Sequence, residues 1–514
     1  MNSYKIGTRG SLLAVTQSTL MKNELERISG EKFELVLIQT QGDQITNKPL
    51  WQLEGKDFFT KELDEALVKG EVDFVIHSYK DLGSIRPEGI KLAAITERRF
   101  AHDILLMPQH LIENLKNWEG ELVVGTSSPR RIANLTHSLK RYLPFVNKQN
   151  NPIRCETLRG NVNSRIKKLK DGQYHAITLA LAGLERLSHG EKSRLELQGL
   201  LEGLNYFILP QSVFPSAASQ GALGIEMRAD RNDGGKLAAI LAQLNHAATV
   251  EEVTRERVAF KEFGGGCHLA VGIHVKKVGD TFLHVHAGEV DGVRIDMKWL
   301  EGEPQIKIDK HKKIFVGLPR GERTDAVYDQ LLGKIPATKV VDLSHKHVFV
   351  TSRYTLPTLQ ASFSSAPEGI WAAGTKTAER LCAEGIWING TSDSLGTKDL
   401  MDLKHSEVLK MLHPSIQTPW TVLSHNEATS DLGNVVGCYE RKIQNVSEDF
   451  KAELKNVGAC LWTSFAQYET YLKHFPFLKD AHHFCGLGKT WQEFQKAGIK
   501  THPLASMQEF YDLI

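Results

Sequence analysis

VDFVIHSYKDLGS, residues 72–84, is the stretch on which the reading of the fold turns. It begins as an apolar run of strand length and stops on a polar cluster that includes Ser78, Lys80 and Asp81. In α/β sheets, ligands gather where the strands end. An aspartate placed there can give or take a proton, or stabilise a cation. It can equally cap a helix or pair with Lys80. These residues alone leave both readings open.

The same plan recurs on either side. YKIGT (4–8) reads as a strand and LLAVTQSTLMKNELERI (12–28) as a helix; FELVLIQT (33–40) is again a strand. FTKELDEALVKG (59–70) is a short helix ended by glycine. ELVVGTSSPRRIANL (121–135) and YHAITLALAGLERL (174–187) repeat the alternation, which argues for α/β domains with largely parallel sheets. Beyond about residue 236 the texture changes to that of a small α+β domain. The polar stretch LEGEPQIKIDKHKK (300–313) reads as a linker. A second α/β series begins at KIFVGLP (313–319). Within it AAGTKTAERLCAEGI (372–386) echoes CGLGKTWQEFQKAGI (485–499), as expected of a two-lobed module.

A chain of 514 residues suggests roughly three to five domains. Its formal net charge of +2, from 63 basic and 61 acidic residues, excludes a generally polybasic nucleic-acid binder but not a local basic site. MNSYKIGTRGSLLAVTQ lacks the apolar core of a signal peptide. The longest apolar run, near AITLALAGL, is about half of the ~20 residues needed to cross a bilayer. Six scattered cysteines without a CxxC pair favour reduced thiols in the cytoplasm over a disulfide framework or a zinc site. The expectation is a cytoplasmic monomer with no metal and no nucleic-acid or membrane partner.

The arginines come next. Arg9, Arg130, Arg131 and Arg186 follow strands, and Arg159 and Arg165 lie in RCETLRGNVNSRIKKLK (154–170). Guanidinium forks at several strand ends predict a small polyanionic ligand. Lys167, Lys168 and Lys170 read instead as a solvated helix face. EGKDFF places Lys56 and Phe59 on a loop, either over the site or as a solvated lysine beside a core aromatic. SAASQGALGIE (216–226) reads as a tight interdomain segment. FGGGCHLAVG (263–272) sets Cys267 after three glycines, whose freedom of backbone strips side chains from around the thiol. Cys267 is a nucleophile candidate or a small residue in a bend.

Taken in order, IGTRGSLLAVTQ, HSYKDL, VGTSSPRR, LRGNVNSR, LALAGLERL, SQGALGIE and GGGC resemble the porphobilinogen deaminase (hydroxymethylbilane synthase) family over about residues 1–305. The resemblance implies two interleaved α/β lobes of the periplasmic-binding-protein kind, residues 1–101 with 209–235 and residues 102–208. A small α+β domain, 236–305, carries the cysteine. It further implies a dipyrromethane cofactor, made from substrate and joined to Cys267 by a thioether. Four porphobilinogen units are then added head to tail with loss of ammonia, and water releases hydroxymethylbilane. Asp81 matches the catalytic aspartate, which stabilises the electron-poor azafulvene and assists proton transfers. Lys80, Ser78, Ser128, Arg130 and Arg131, with Asp81 and Cys267, match cofactor-binding positions. Arg9, Gln17, Lys56, Phe59, Arg159, Arg165 and Arg186 match positions that meet the substrate. The chain departs from the family at Gln52, Pro129 and His175, and in having GGGC for EGGC.

VFVTS, AAGTKTAERL, VLSHNEA, VVGCYERK, LWTSFAQY and GLGKTWQEF resemble uroporphyrinogen-III synthase over roughly 312–514. After a linker at 306–313, the implied lobes are 312–342 with 441–514, and 343–440. The implied reaction closes hydroxymethylbilane to uroporphyrinogen III with inversion of the last ring. Tyr439 matches a tyrosine that assists the leaving group. Thr351, Ser352, Thr375, Thr377, Thr463, Ser464 and Thr490 lie where donors would meet substrate carboxylates, or where hydroxyls cap strand-to-helix turns. The whole is expected to be a bifunctional α/β multidomain enzyme of tetrapyrrole synthesis. A deaminase with a non-catalytic C-terminal module and an anion-binding solute receptor are the rival readings.

Overall fold

The strand Phe74–Ser78 lies at the centre of a five-stranded sheet, flanked by Tyr4–Arg9 and Leu223–Arg228. The computed structural model describes residues 3–40, 60–83, 85–144, 151–266, 268–302, 306, 308–309 and 311–512. In this first sheet the order is Phe33–Ile38, Tyr4–Arg9, Phe74–Ser78, Leu223–Arg228, Ile90–Ile95. The first three strands run parallel, and Leu223–Arg228 is antiparallel to both neighbours. A second sheet repeats the plan with Ile153–Glu156, Leu122–Gly125, Ala176–Ala180, Asp103–Pro108 and Leu204–Ile208. Here Asp103–Pro108 is the antiparallel member. The chain crosses to the second sheet after Ile95 and returns before Leu223. Each crossing thus delivers a strand that runs against the parallel set.

Local sequence explains the helices that follow these strands. Ser11 accepts a hydrogen bond from the Ala14 N–H and starts the helix Leu12–Ser29, which stops at Gly30 with φ of 69°. Ser128 caps Pro129–Ser138 in the same way. Pro129 is the first residue of that helix, where its missing N–H has no intrahelical partner to lose and its ring presets φ. The departure at Pro129 is therefore accommodated.

A three-stranded antiparallel sheet, Ala270–Val278, Thr281–Val290 and Val293–Leu300, packs against the helix Ala247–Glu262. Its second turn is Asp291-Gly292, both with positive φ, as a two-residue hairpin of this hand requires.

The last two hundred residues form two more sheets. One is parallel, in the order Ala326–Tyr328, Lys313–Val316, Val457–Trp462, His482–Gly486, His502–Leu504. The other runs Leu332–Pro336, Gly433–Ile443, Trp420–His425, His347–Val350, Gly369–Ala372, Gly390–Thr391. Leu332–Pro336, expected in the lobe 312–342, pairs antiparallel with Gly433–Ile443 and so belongs to the other sheet. The expected polar linker is not wholly solvated either. Ile308 is buried among Ile314, Phe484 and Phe510.

The two halves share hydrophobic cores. Leu105, Met107 and Phe207 of the second sheet cluster with Val348, Leu381 and Tyr439. Ile104, Tyr206 and Ile208 cluster with Trp371 and Trp420. Leu283, Val285 and Leu300 of the antiparallel sheet cluster with Phe315, Trp462 and Trp491. Polar contacts fix the register: Ile208 N–H donates to Asn389 O (2.8 Å), and Asn389 Nδ2 donates to Asn205 Oδ1 (2.8 Å) and Tyr206 O (2.9 Å). Among the described residues, no helix is long and apolar enough to cross a membrane.

Candidate functional site

Ser78 ends its strand, and Tyr79–Asp81 turn at once into a single 3₁₀ turn that leaves Asp81 exposed. Arg186, on the helix Leu181–Ser188, reaches across to this turn. It donates to Ser78 Oγ (3.2 Å), Gln17 Oε1 (3.5 Å) and Gly221 O (2.9 Å). Burial lowers Arg186 to about 10, against the opposing charge of Asp81. Arg186 thus brings Ser78 and Gln17 together beside the turn that carries Asp81.

Lys80 Nζ donates to Gln220 Oε1 at 3.2 Å. Burial pulls Lys80 down to about 8; Arg131 and Arg130 push the same way, while Asp81 and Asp103 oppose. Sequence reasoning missed Asp103. It is buried at the start of its strand and accepts from Arg130 Nη2 (2.8 Å), Arg131 Nη2 (2.7 Å) and Arg131 Nε (3.1 Å). Burial alone would raise this carboxyl, but the two guanidinium groups hold it far below the usual carboxylate range. Arg130 also donates to Pro215 O and Arg131 to Thr178 O. Much of both forks is therefore engaged inside the protein. The signal that could have revealed this was an acidic residue opening the apolar run ILLMP (104–108), since a buried carboxylate needs a partner.

Arg165 donates from Nε to Gly160 O, and burial, with Arg131 and Arg159 nearby, lowers it to about 10. Arg9 ends the strand neighbouring Phe74–Ser78, and its charge is felt at His77. Lys168 and Lys170 donate to backbone carbonyls, at Arg159 and at Gly199 and Glu202, consistent with a structural role. Asp103 neutralises one of the two arginines beside it, so this region holds buried positive charge in excess. That is a fit for a ligand carrying several carboxylates.

Lys56, Phe59 and Cys267 lie outside the described residues, as does Gln52. The glycines before Cys267 are described. Gly264, Gly265 and Gly266 have φ of 90°, 61° and 97°, a left-handed run that other residues resist. A Cβ at Gly266 would also meet the His268 ring at 2.9 Å. The backbone into Cys267 thus requires its glycines.

In the C-terminal half, Thr351, Ser352, Thr463 and Ser464 lie just beyond strand ends, and Thr490 lies in the first turn of the helix Lys489–Lys496. Their hydroxyls are engaged locally. Thr351 donates to Leu423 O, Thr463 to Gly317 O and Thr490 to Thr463 O, while Ser352 and Ser464 cap the turns that follow. Thr375 opens the helix Thr375–Ala383, which also holds Thr377. Tyr439 is buried. Burial raises its phenol, opposed by Arg441. Its ring lies 5.6 Å from that of Tyr354, over which Lys334 Nζ sits at 5.0 Å. Tyr354 also lines a cavity of about 500 Å³ with Arg320, Arg353 and Arg380. These arginines were missed because they stand singly in the sequence and meet only in space.

Residues 4–235 match the family model described as porphobilinogen deaminase, dipyrromethane cofactor binding domain. A porphobilinogen deaminase of Synechococcus elongatus is 35% identical over 297 residues, covering 57% of this chain and 84% of the relative. One from Chromobacterium violaceum is 38% identical over 273 residues, covering 53% and 79%. Among solved structures, the uroporphyrinogen-III synthetase of Helicobacter pylori aligns with 39% of this chain and 97% of its own, at 15% identity and a TM-score of 0.28. The chain belongs to the porphobilinogen deaminase family.

Proposed function

We propose that this chain makes hydroxymethylbilane in its first 300 residues and cyclises it in its last 200. Deaminase activity with a dipyrromethane cofactor follows from the family. The residue roles and the second activity are our reading.

The observation that carries the first half is the pair of cations Lys80 and Arg186 beside the exposed Asp81, backed by Arg130 and Arg131 around the buried Asp103. Cys267 would hold the dipyrromethane, with Lys80, Ser78, Ser128, Arg130 and Arg131 toward its carboxylates. When bound, the dipyrromethane would supply the free pyrrole carbon to which the first unit is joined, each later unit joining the terminal pyrrole of the growing chain. Arg9, Gln17, Arg159, Arg165 and Arg186, with Lys56 and Phe59, would orient the incoming porphobilinogen, whose acetate and propionate need such partners. The Asp81 carboxylate stabilises positive charge as ammonia leaves and takes the proton released when the new bond forms. Intact mass tests this assignment. The purified chain should exceed its sequence mass by one dipyrromethane, and Cys267→Ser should not. An unmodified wild-type chain would overturn it.

The second half rests on the cavity of Arg320, Arg353 and Arg380 beside Tyr439, which suits a polycarboxylate next to a buried phenol. Tyr439 would assist departure of the hydroxyl from the linear tetrapyrrole. Ser352, Thr375, Thr377 and Ser464 would offer hydroxyl donors from the two lobes, while the Thr351, Thr463 and Thr490 hydroxyls, which donate within the protein, would shape the strand ends around them. Incubation with porphobilinogen followed by isomer analysis is decisive. Uroporphyrinogen III is expected, and the type I ring alone would leave a non-catalytic module.

A further inference from the structure

Gln220 lies in SQGALGIE, on the crossing that returns the chain to the first sheet. Its side chain is buried and has three partners. Oε1 accepts from Lys80 Nζ at 3.2 Å, while Nε2 donates to Ala101 O at 2.7 Å and Asp103 Oδ1 at 2.9 Å. Only one amide orientation satisfies all three, because an ammonium can only donate and a carbonyl and carboxylate can only accept. No other side chain of this length is neutral and offers an acceptor on one side and two donors on the other. Glutamate would turn an oxygen toward Asp103, and asparagine is a methylene short.

The backbone at this point is equally specified. Ser219 has φ of 65° and Gly221 of 97°, and a Cβ at Gly221 would lie 2.7 Å from Arg99 O. Arg186 and Arg98 hold the turn through Gly221 O and Gln220 O. Arg98 itself is paired with Glu256 of the helix that packs on the antiparallel sheet. The turn is thus tied to all three parts of the deaminase half.

We infer that Gln220 is a positioning residue: its amide locks Lys80 of the first sheet to the Asp103–Arg130–Arg131 group of the second, so that their charges face one anionic dipyrrole. The role rests on the reading of Lys80 as a cofactor-binding cation. Without Gln220, Lys80 would lose its acceptor, and the two sheets would lose a polar tie that spans 140 residues of sequence.

The test is cofactor loading of the full-length apo-chain, titrated with porphobilinogen and read by intact mass. Gln220→Met and Lys80→Met are each expected to raise the half-loading concentration roughly tenfold or more, as for loss of a hydrogen bond to a charged group. The double variant should be no worse than Lys80→Met alone, because one acts through the other. Normal loading of Gln220→Met, or effects that multiply in the double variant, would overturn the positioning role. Normal loading of Lys80→Met would remove the reading on which it rests. If Gln220→Met does not fold, Gln220→Asn takes its place. It keeps the amide and loses the reach, the same shift is expected, and normal loading by that variant refutes the role equally.

Discussion

Glu185 offers the sharpest test of how the two halves are joined. It stands on the deaminase helix Leu181–Ser188 but serves the other half. Its carboxylate accepts from the Ser406 hydroxyl, from Glu407 N–H at 3.3 Å and from Val408 N–H at 3.1 Å. Ser406 in turn accepts from Leu409 N–H and caps the helix Glu407–Leu412. Burial raises the Glu185 carboxyl, opposed by these donors. Glu185→Ala leaves three donors without their acceptor, two of them backbone. Each such loss costs about 1–3 kcal/mol when the group stays buried, offset here by release of a poorly solvated carboxylate. A net of about 2 kcal/mol follows, equivalent to roughly 30-fold more frequent local opening. Hydrogen–deuterium exchange of the Glu407–Leu412 amides reads this directly. Glu185→Gln keeps one acceptor and should give a smaller rise. Exchange within twofold of wild type in Glu185→Ala would refute the claim that this carboxylate holds the halves together.

Lys80 predicts a pH dependence. It is cationic below about 8 and neutral above, so kcat/KM should fall through an alkaline limb near that value, and Lys80→Arg should move the limb upward. The same depressed value makes the unfolded chain bind more protons between about 8 and 10.5, so this group's contribution to stability rises with pH across that window. Asp103→Asn leaves two buried guanidinium groups without their carboxylate and should destabilise by about 3–5 kcal/mol, measured by denaturant titration. A loss below 1 kcal/mol would contradict the pairing. Asp81→Asn should nearly abolish turnover while circular dichroism stays unchanged, because the exposed Asp81 side chain is not part of the core. An active, folded variant would remove Asp81 from its role.

The sequence by itself determined what local pattern controls. Apolar runs gave the strands, and helical spacing with Ser11, Ser128 and Gly30 gave the helices and their ends. Placing Ser78, Lys80 and Asp81 at a strand end needed only knowledge of where Phe74–Ser78 stops. Three glycines before Cys267 announced a left-handed backbone, which is a property of those residues alone. Only the tertiary structure decided which charges meet. Arg130 and Arg131 pair with Asp103 across 27 and 28 residues, and Lys80 meets Gln220 across 140. It also decided that Leu332–Pro336 joins the other lobe's sheet, and that the two halves share cores with Trp371, Trp420 and Trp462 at their centres. The physical reason is the range of the interactions. Backbone preference and periodicity act within a few residues and can be read along the chain. Neutralising a buried charge or covering an apolar face depends on whichever groups the fold brings near, and spacing along the chain does not encode that.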